Sequence, residues 1–160
     1  MNVSIYVNSD EGSDLMPNDI KRLESLYTLT LKNKKCIPDD VRVVEISLVF
    51  VNEIKMTQIN AKYRDTSEVT DVLSFPMWES KTGDFNPPSN WDVLPLGDIV
   101  VCTEVVKQNA INQKKEFINE LVLVICHGLL HLIGLDHDTI ERKQAMWKEQ
   151  DQIVSEYFKF

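Results

Sequence analysis

Residues 121–138 read L-V-L-V-I-C-H-G-L-L-H-L-I-G-L-D-H-D. The first third, Leu121 to Cys126, is apolar on every face, which a helix in a water-soluble protein tolerates only when buried. The remainder holds all three histidines of the chain, His127, His131 and His137. At about 100° per residue, His127 and His131 stand about 40° apart and one turn along, so both imidazoles project from one helix face. Gly134 is the residue type that most readily takes the left-handed conformation ending a helix, which lets the chain reverse and carry His137 back toward the other two. Three imidazoles with no fourth protein ligand nearby describe an open coordination shell, the catalytic rather than the structural kind for zinc. The competing reading, three unrelated histidines, would bury imidazoles without partners, a need that one metal ion meets for all three.

Upstream, Val3, Ile5 and Val7 alternate with polar residues as in a half-buried strand. Pro17 opens a helix with apolar Ile20, Leu23, Leu26, Tyr27 and Leu31, and its end is basic at Lys32, Lys34 and Lys35, which suits the helix dipole better than it signals an RNA contact. Val44, Ile46, Leu48 and Phe50 predict a central strand over 41–51, and Asn52 caps a short helix through Tyr63. A brief strand, Val72 to Met77, precedes a Pro- and Gly-bearing segment, 78–95, long enough to read as a functional flap. Leu96 to Cys102 is a further strand entered through Gly97, Thr103 caps the next helix, and a second helix from about Lys115 runs into the histidines. Asp138 with Glu141 predicts the cap of a last amphipathic helix bearing Met146, Ile153 and Tyr157. Strands early and helices late favour α+β, in a single domain over 1–160.

The composition, 43% hydrophobic and 26% charged over 160 residues, is that of an ordinary globular domain. No apolar run approaches a membrane span and the first ten residues lack a secretory pattern, so the expected compartment is cytoplasmic. Cys36, Cys102 and Cys126 are scattered and odd in number, against a disulfide framework or a thiolate zinc site. A net charge of −8 means that a polyanionic substrate would have to meet a local basic patch, for which Lys62, Arg64 and Lys32 to Lys35 are the candidates.

A three-histidine metal site points to hydrolysis. The spacing H-x-x-x-H-x-x-G-x-x-H also matches metzincin proteases, but Gly128 stands where those enzymes carry their general-base glutamate. The nearest carboxylates are Asp136 and Asp138, which flank the third histidine as orienting groups or, for Asp138, as a cap. Arg64, in a helix-to-strand connection, is the residue type that holds a phosphate bidentately.

Four blocks occur in order: Asn60-x-x-Tyr63-Arg64, Thr70-Asp71-Val72-Leu73-Ser74-Phe75-Pro76, Leu96-Gly97-Asp98-Ile99, and the histidine segment through His137. Together they resemble the YbeY family of bacterial metal-dependent endoribonucleases, and Met146 with Glu149 fits that family's last helix. Departures are mild, with Leu135 where a tyrosine is common and Cys126 where an aliphatic residue is. The resemblance implies a single-strand-specific endoribonuclease in ribosomal RNA maturation, notably at the 3′ end of the small-subunit RNA, and in ribosome quality control. It implies an α+β fold, a small mixed sheet packed with helices and related in shape to the zincins. It further implies one Zn2+ held by His127, His131 and His137, catalytic roles for Arg64 and His127, and substrate contacts at Arg64, Asp71 and Ser74. The implied partners are single-stranded and ribosomal RNA and small-subunit components, with no membrane and no DNA expected. The alternatives are a metallopeptidase-like hydrolase and a ribosome assembly factor with a structural metal.

Overall fold

The computed structural model describes residues 1–9, 15–64, 69–136 and 138–159, with the side chain of Arg64 outside the description. Among the described residues the order is β1 (Asn2–Ser9), α1 (Pro17–Lys34), β2 (Val43–Val51), α2 (Glu53–Arg64), β3 (Val72–Pro76), β4 (Val93–Cys102), α3 (Thr103–Asn112), α4 (Phe117–Leu132) and α5 (Ile140–Tyr157). The strands form one mixed sheet in the order β1-β2-β4-β3. β1 and β4 flank β2 in parallel, and β3 closes the far edge antiparallel to β4. The architecture is the α+β one expected.

β2 is central because its period-2 pattern buries one whole face: Val44, Ile46, Leu48 and Phe50 are all at most 4% exposed. That face joins Val3 and Ile5 of β1 and Ile99 and Val101 of β4 in a core closed by α1, α4 and α5. The opposite face carries a small second cluster, Val51, Leu73, Val100 and Cys102, covered by Met56 of α2. Among the described residues no helix is long and apolar enough to cross a membrane.

Three local expectations are corrected. The last strand begins at Val93, not Leu96, because the β2–β4 pairing skips a residue between Pro95 and Gly97. This bulge lets Leu94 and Leu96 point into the same core as Ile99 and Val101, so a strict alternation hides the first half of the strand. Gly97 has φ +138, and a Cβ there would lie 2.1 Å from the Phe75 carbonyl oxygen, so the bulge demands glycine. Thr103 is already the first residue of α3, with Cys102 at the cap position. At α5 the cap is Thr139, whose Oγ1 accepts from the Arg142 amide at 3.1 Å, while Asp138 pairs with the Arg142 guanidinium at 3.4 Å. Both misses are one residue in phase. The Asn52 cap stands, its Oδ1 accepting from the Lys55 amide at 2.8 Å.

The segment after β3 folds back on the sheet. Glu79 and Phe85 form a bridge, and the Trp78 indole N–H donates to the Pro95 carbonyl while its ring meets Trp91 edge-on at 5.1 Å. Phe85 thereby rests against Gly134, whose φ of +92 is the turn expected after α4.

Candidate active site

The site begins with how closely α4 lies on the sheet. At Gly128 an added Cβ would be 2.8 Å from Ile99 Cγ2 and 3.2 Å from Ser74 Oγ. The absent side chain lets the helix backbone come close enough for Ser74 Oγ to donate to the Gly128 carbonyl at 3.2 Å. Gly128 is therefore more than a missing general base: the position is packed against β3 and β4, with no room for a glutamate.

This approach turns His127 and His131 out of the helix–sheet contact and toward an open cleft. Their rings meet edge-on with centroids 4.6 Å apart, and the two Nε2 atoms are 3.0 Å apart. Behind His127, Gln150 of α5 is 8% exposed and places its Oε1 2.8 Å from Nδ1. An amide oxygen only accepts, so Nδ1 donates to Gln150 and Nε2 is left as the acceptor that faces His131 Nε2. Two imidazole nitrogens so oriented suit one ion at zinc–nitrogen lengths of about 2.0–2.1 Å, with Gln150 in the orienting place behind the ligand. Among the described residues no group of three His, Cys, Asp or Glu side chains gathers to hold an ion. The third expected ligand, His137, lies outside the described residues.

The cleft has a volume of about 570 Å³ and runs between α4 and β3, with Glu79 and Gly83 also lining it. Asp71 and Ser74, expected at a substrate surface, both line it. So do Glu79, Glu120 and Asp136, and no lysine or arginine is among its described lining residues. Glu120 is 4% exposed and is neutralised by Lys115 at 2.7 Å. Cys126 faces away from the cleft, buried beside Tyr27, and burial pushes its thiol up to about 12, as suits a packing residue.

A family model described as Endoribonuclease YbeY matches residues 6–158. The chain belongs to the YbeY endoribonuclease family. Curated proteins named Endoribonuclease YbeY from Staphylococcus aureus, in the bovine strain RF122 and in strain Newman, are 38% identical over 139 residues, covering 86% of this chain and 85% of theirs. The solution structure of TM1509 from Thermotoga maritima superposes with a TM-score of 0.59 at 27% identity, over 96% of this chain and 89% of that one.

The YbeY-type blocks thus converge unevenly in space. β3 and α4, far apart in sequence, form the two walls of the cleft. Arg64 ends α2, and its side chain lies outside the description. The basic end of α1 is engaged elsewhere, with Lys34 Nζ 2.8 Å from Glu149 on the α1 side of α5, so the helix-end reading of Lys32 to Lys35 fits better than a substrate groove. Lys62 sits over the Tyr63 ring at 5.3 Å, and that ring meets Phe75 edge-on on the α2 side of the sheet. Sequence reasoning missed Gln150 and Glu120. Their only signal is a polar residue on the inner stripe of an amphipathic helix, at Gln150 between Met146 and Ile153.

Proposed function

We propose that this chain is a metal-dependent, single-strand-specific endoribonuclease acting in ribosomal RNA maturation, at the 3′ end of the small-subunit RNA, and in ribosome quality control in the cytoplasm. The observation that carries the reading is the convergence of the His127 and His131 Nε2 atoms on one cleft, in a chain of an endoribonuclease family. His127, His131 and His137 would hold the ion, zinc by its imidazole donor set. When bound, such an ion polarises a phosphoryl oxygen and lowers the pKa of a water molecule. The chain's own residues do the rest. Gln150 keeps His127 in the Nδ1–H tautomer, Asp71 and Ser74 present acceptor and hydroxyl groups along one wall, and Arg64 supplies the guanidinium that clamps a phosphate.

The metallopeptidase alternative is disfavoured by the packing of Gly128, which leaves no room for a glutamate at that helix position. The test is cleavage of a single-stranded RNA by highly purified protein. His131→Ala and Arg64→Glu are each expected to lower the rate at least a hundredfold, on the scale of losing one electrostatic stabiliser. Undiminished cleavage in either variant would sink the assignment, and chelator-sensitive peptide turnover would replace it.

A further inference from the structure

Gly134 stands three residues after His131 and three before His137, so it marks the turn between the second and third expected ligands. The turn is closed locally. The Gly134 amide donates to the His131 carbonyl at 3.1 Å and the Leu135 amide to the Leu130 carbonyl at 3.0 Å, the two bonds of a Schellman motif. A helix end held only by its own bonds frays, and ligands separated by a fraying turn would not keep one geometry.

What holds this turn from outside is the segment that leaves β3. The Met77 amide donates to the Leu96 carbonyl at 3.0 Å, extending the β3–β4 ladder. The chain then doubles back as a hairpin around the Glu79 and Phe85 bridge, with the Asn86 amide on the Trp78 carbonyl at 2.8 Å and the Ser80 amide on the Asp84 carbonyl at 2.9 Å. The Trp78 indole ties the base of the hairpin to Pro95. Its returning arm carries Phe85 onto Gly134. A Cβ on Gly134 would stand 3.0 Å from the Phe85 amide nitrogen and 3.1 Å from Phe85 Cβ, so the hairpin occupies the place a side chain there would need. Phe85, Trp78 and Leu135 each pack against the main core. The crevice left between hairpin and helix end, lined by Phe85, His131 and Gly134 among others, measures about 10 Å³, room for one water at most.

We infer that Phe85 is a positioning residue for the metal site, the point at which the hairpin braces the turn between His131 and His137. This inference rests on the metal-dependent reading and adds a residue that is remote in sequence from every expected ligand. The brace works by packing: a site keeps its geometry when the groups behind its ligands are themselves locked in place. It also gives the 78–95 segment a function that its length alone only suggests.

The test is zinc affinity measured against a competing chelator, with folding checked by circular dichroism. Phe85→Ala is expected to weaken zinc binding about tenfold, the lower end of what supporting groups behind a ligand contribute. Phe85→Leu keeps apolar bulk against the turn and should restore most of that affinity. Coupling is reciprocal, so if the docked hairpin strengthens zinc binding, zinc must hold the hairpin by the same factor. In wild-type protein the Ser80 and Asn86 amides should therefore exchange with deuterium about tenfold more slowly at saturating zinc, while the Ile20 amide at the start of α1 is unaffected. Equal zinc affinity in wild type and a folded Phe85→Ala overturns the brace and leaves the metal reading standing. If Phe85→Ala does not fold, hairpin exchange that zinc leaves unchanged in the wild type overturns it equally. A wild type that takes up no zinc would bring down the metal reading, and the brace with it.

Discussion

At the scale of single residues, the site depends on one absent side chain and one buried amide. Gly128→Ala sets a methyl 2.8 Å from Ile99 Cγ2, and since Ile99 is itself fully buried, the helix must lift from the sheet. A loss of about 1–3 kcal/mol in urea denaturation is expected, as for overpacking in a filled core, together with weaker metal binding because His127 moves with the helix. Gln150 acts through His127. Gln150→Leu removes the acceptor for Nδ1–H, and zinc affinity measured against a competing chelator should fall about 10- to 100-fold. Gln150→Glu keeps an acceptor in place and should restore most of that affinity. Equal affinity in the leucine variant would show that Gln150 only fills space.

Among elements, α1 and α5 are the pair whose contact sets the position of the Gln150-bearing helix. They are joined at one end by Lys34 and Glu149 and at the other by the Tyr157 hydroxyl, which donates to Asp19 Oδ1 at 2.7 Å, with the Arg22 guanidinium 5.0 Å from the ring centroid. The first clamp is partly exposed, its side chains 25% and 35% accessible, and contributes little. The second is stronger, since Tyr157 is 1% exposed. Burial, and then the Asp19 hydrogen bond, raise the Tyr157 pKa. A raised native pKa means that the neutral phenol's contribution is intact below the unfolded value of about 10 and is lost as the pH climbs above it. Tyr157→Phe should therefore cost about 1 kcal/mol at neutral pH. It should also lose less stability than wild type between about pH 9 and 11. Parallel falls of the two proteins in urea melts across that range would refute the clamp.

For the molecule as a whole, the proposed metal is expected to bind the folded chain alone, because helix α4 sets the His127 and His131 Nε2 atoms 3.0 Å apart only in the native state. Elemental analysis should find one zinc per chain, absent in His127→Ala, and chelation should lower Tm by an amount that grows with the free zinc originally present. An unchanged Tm on metal removal would exclude the structural-metal reading.

Much of this was legible in the chain. The α4 pattern, the alternation of β2 and the Gly134 turn are short-range consequences of period and backbone freedom, so α+β and the histidine pair could be read directly. The YbeY-type blocks were legible as words in sequence order. What periodicity could not carry was anything set by two distant segments meeting. The Leu96–Gly97 bulge, which reverses the parity of β4, depends on the approach of Phe75. The fit of Gly128 depends on Ser74 and Ile99. Gln150 behind His127 depends on how α5 crosses α4, and the acidic wall of the cleft on how α4 meets β3. Local pattern determines which face of an element is apolar; only packing decides which polar residue that face brings to a neighbour, because side-chain partners are chosen by distance in space and not along the chain.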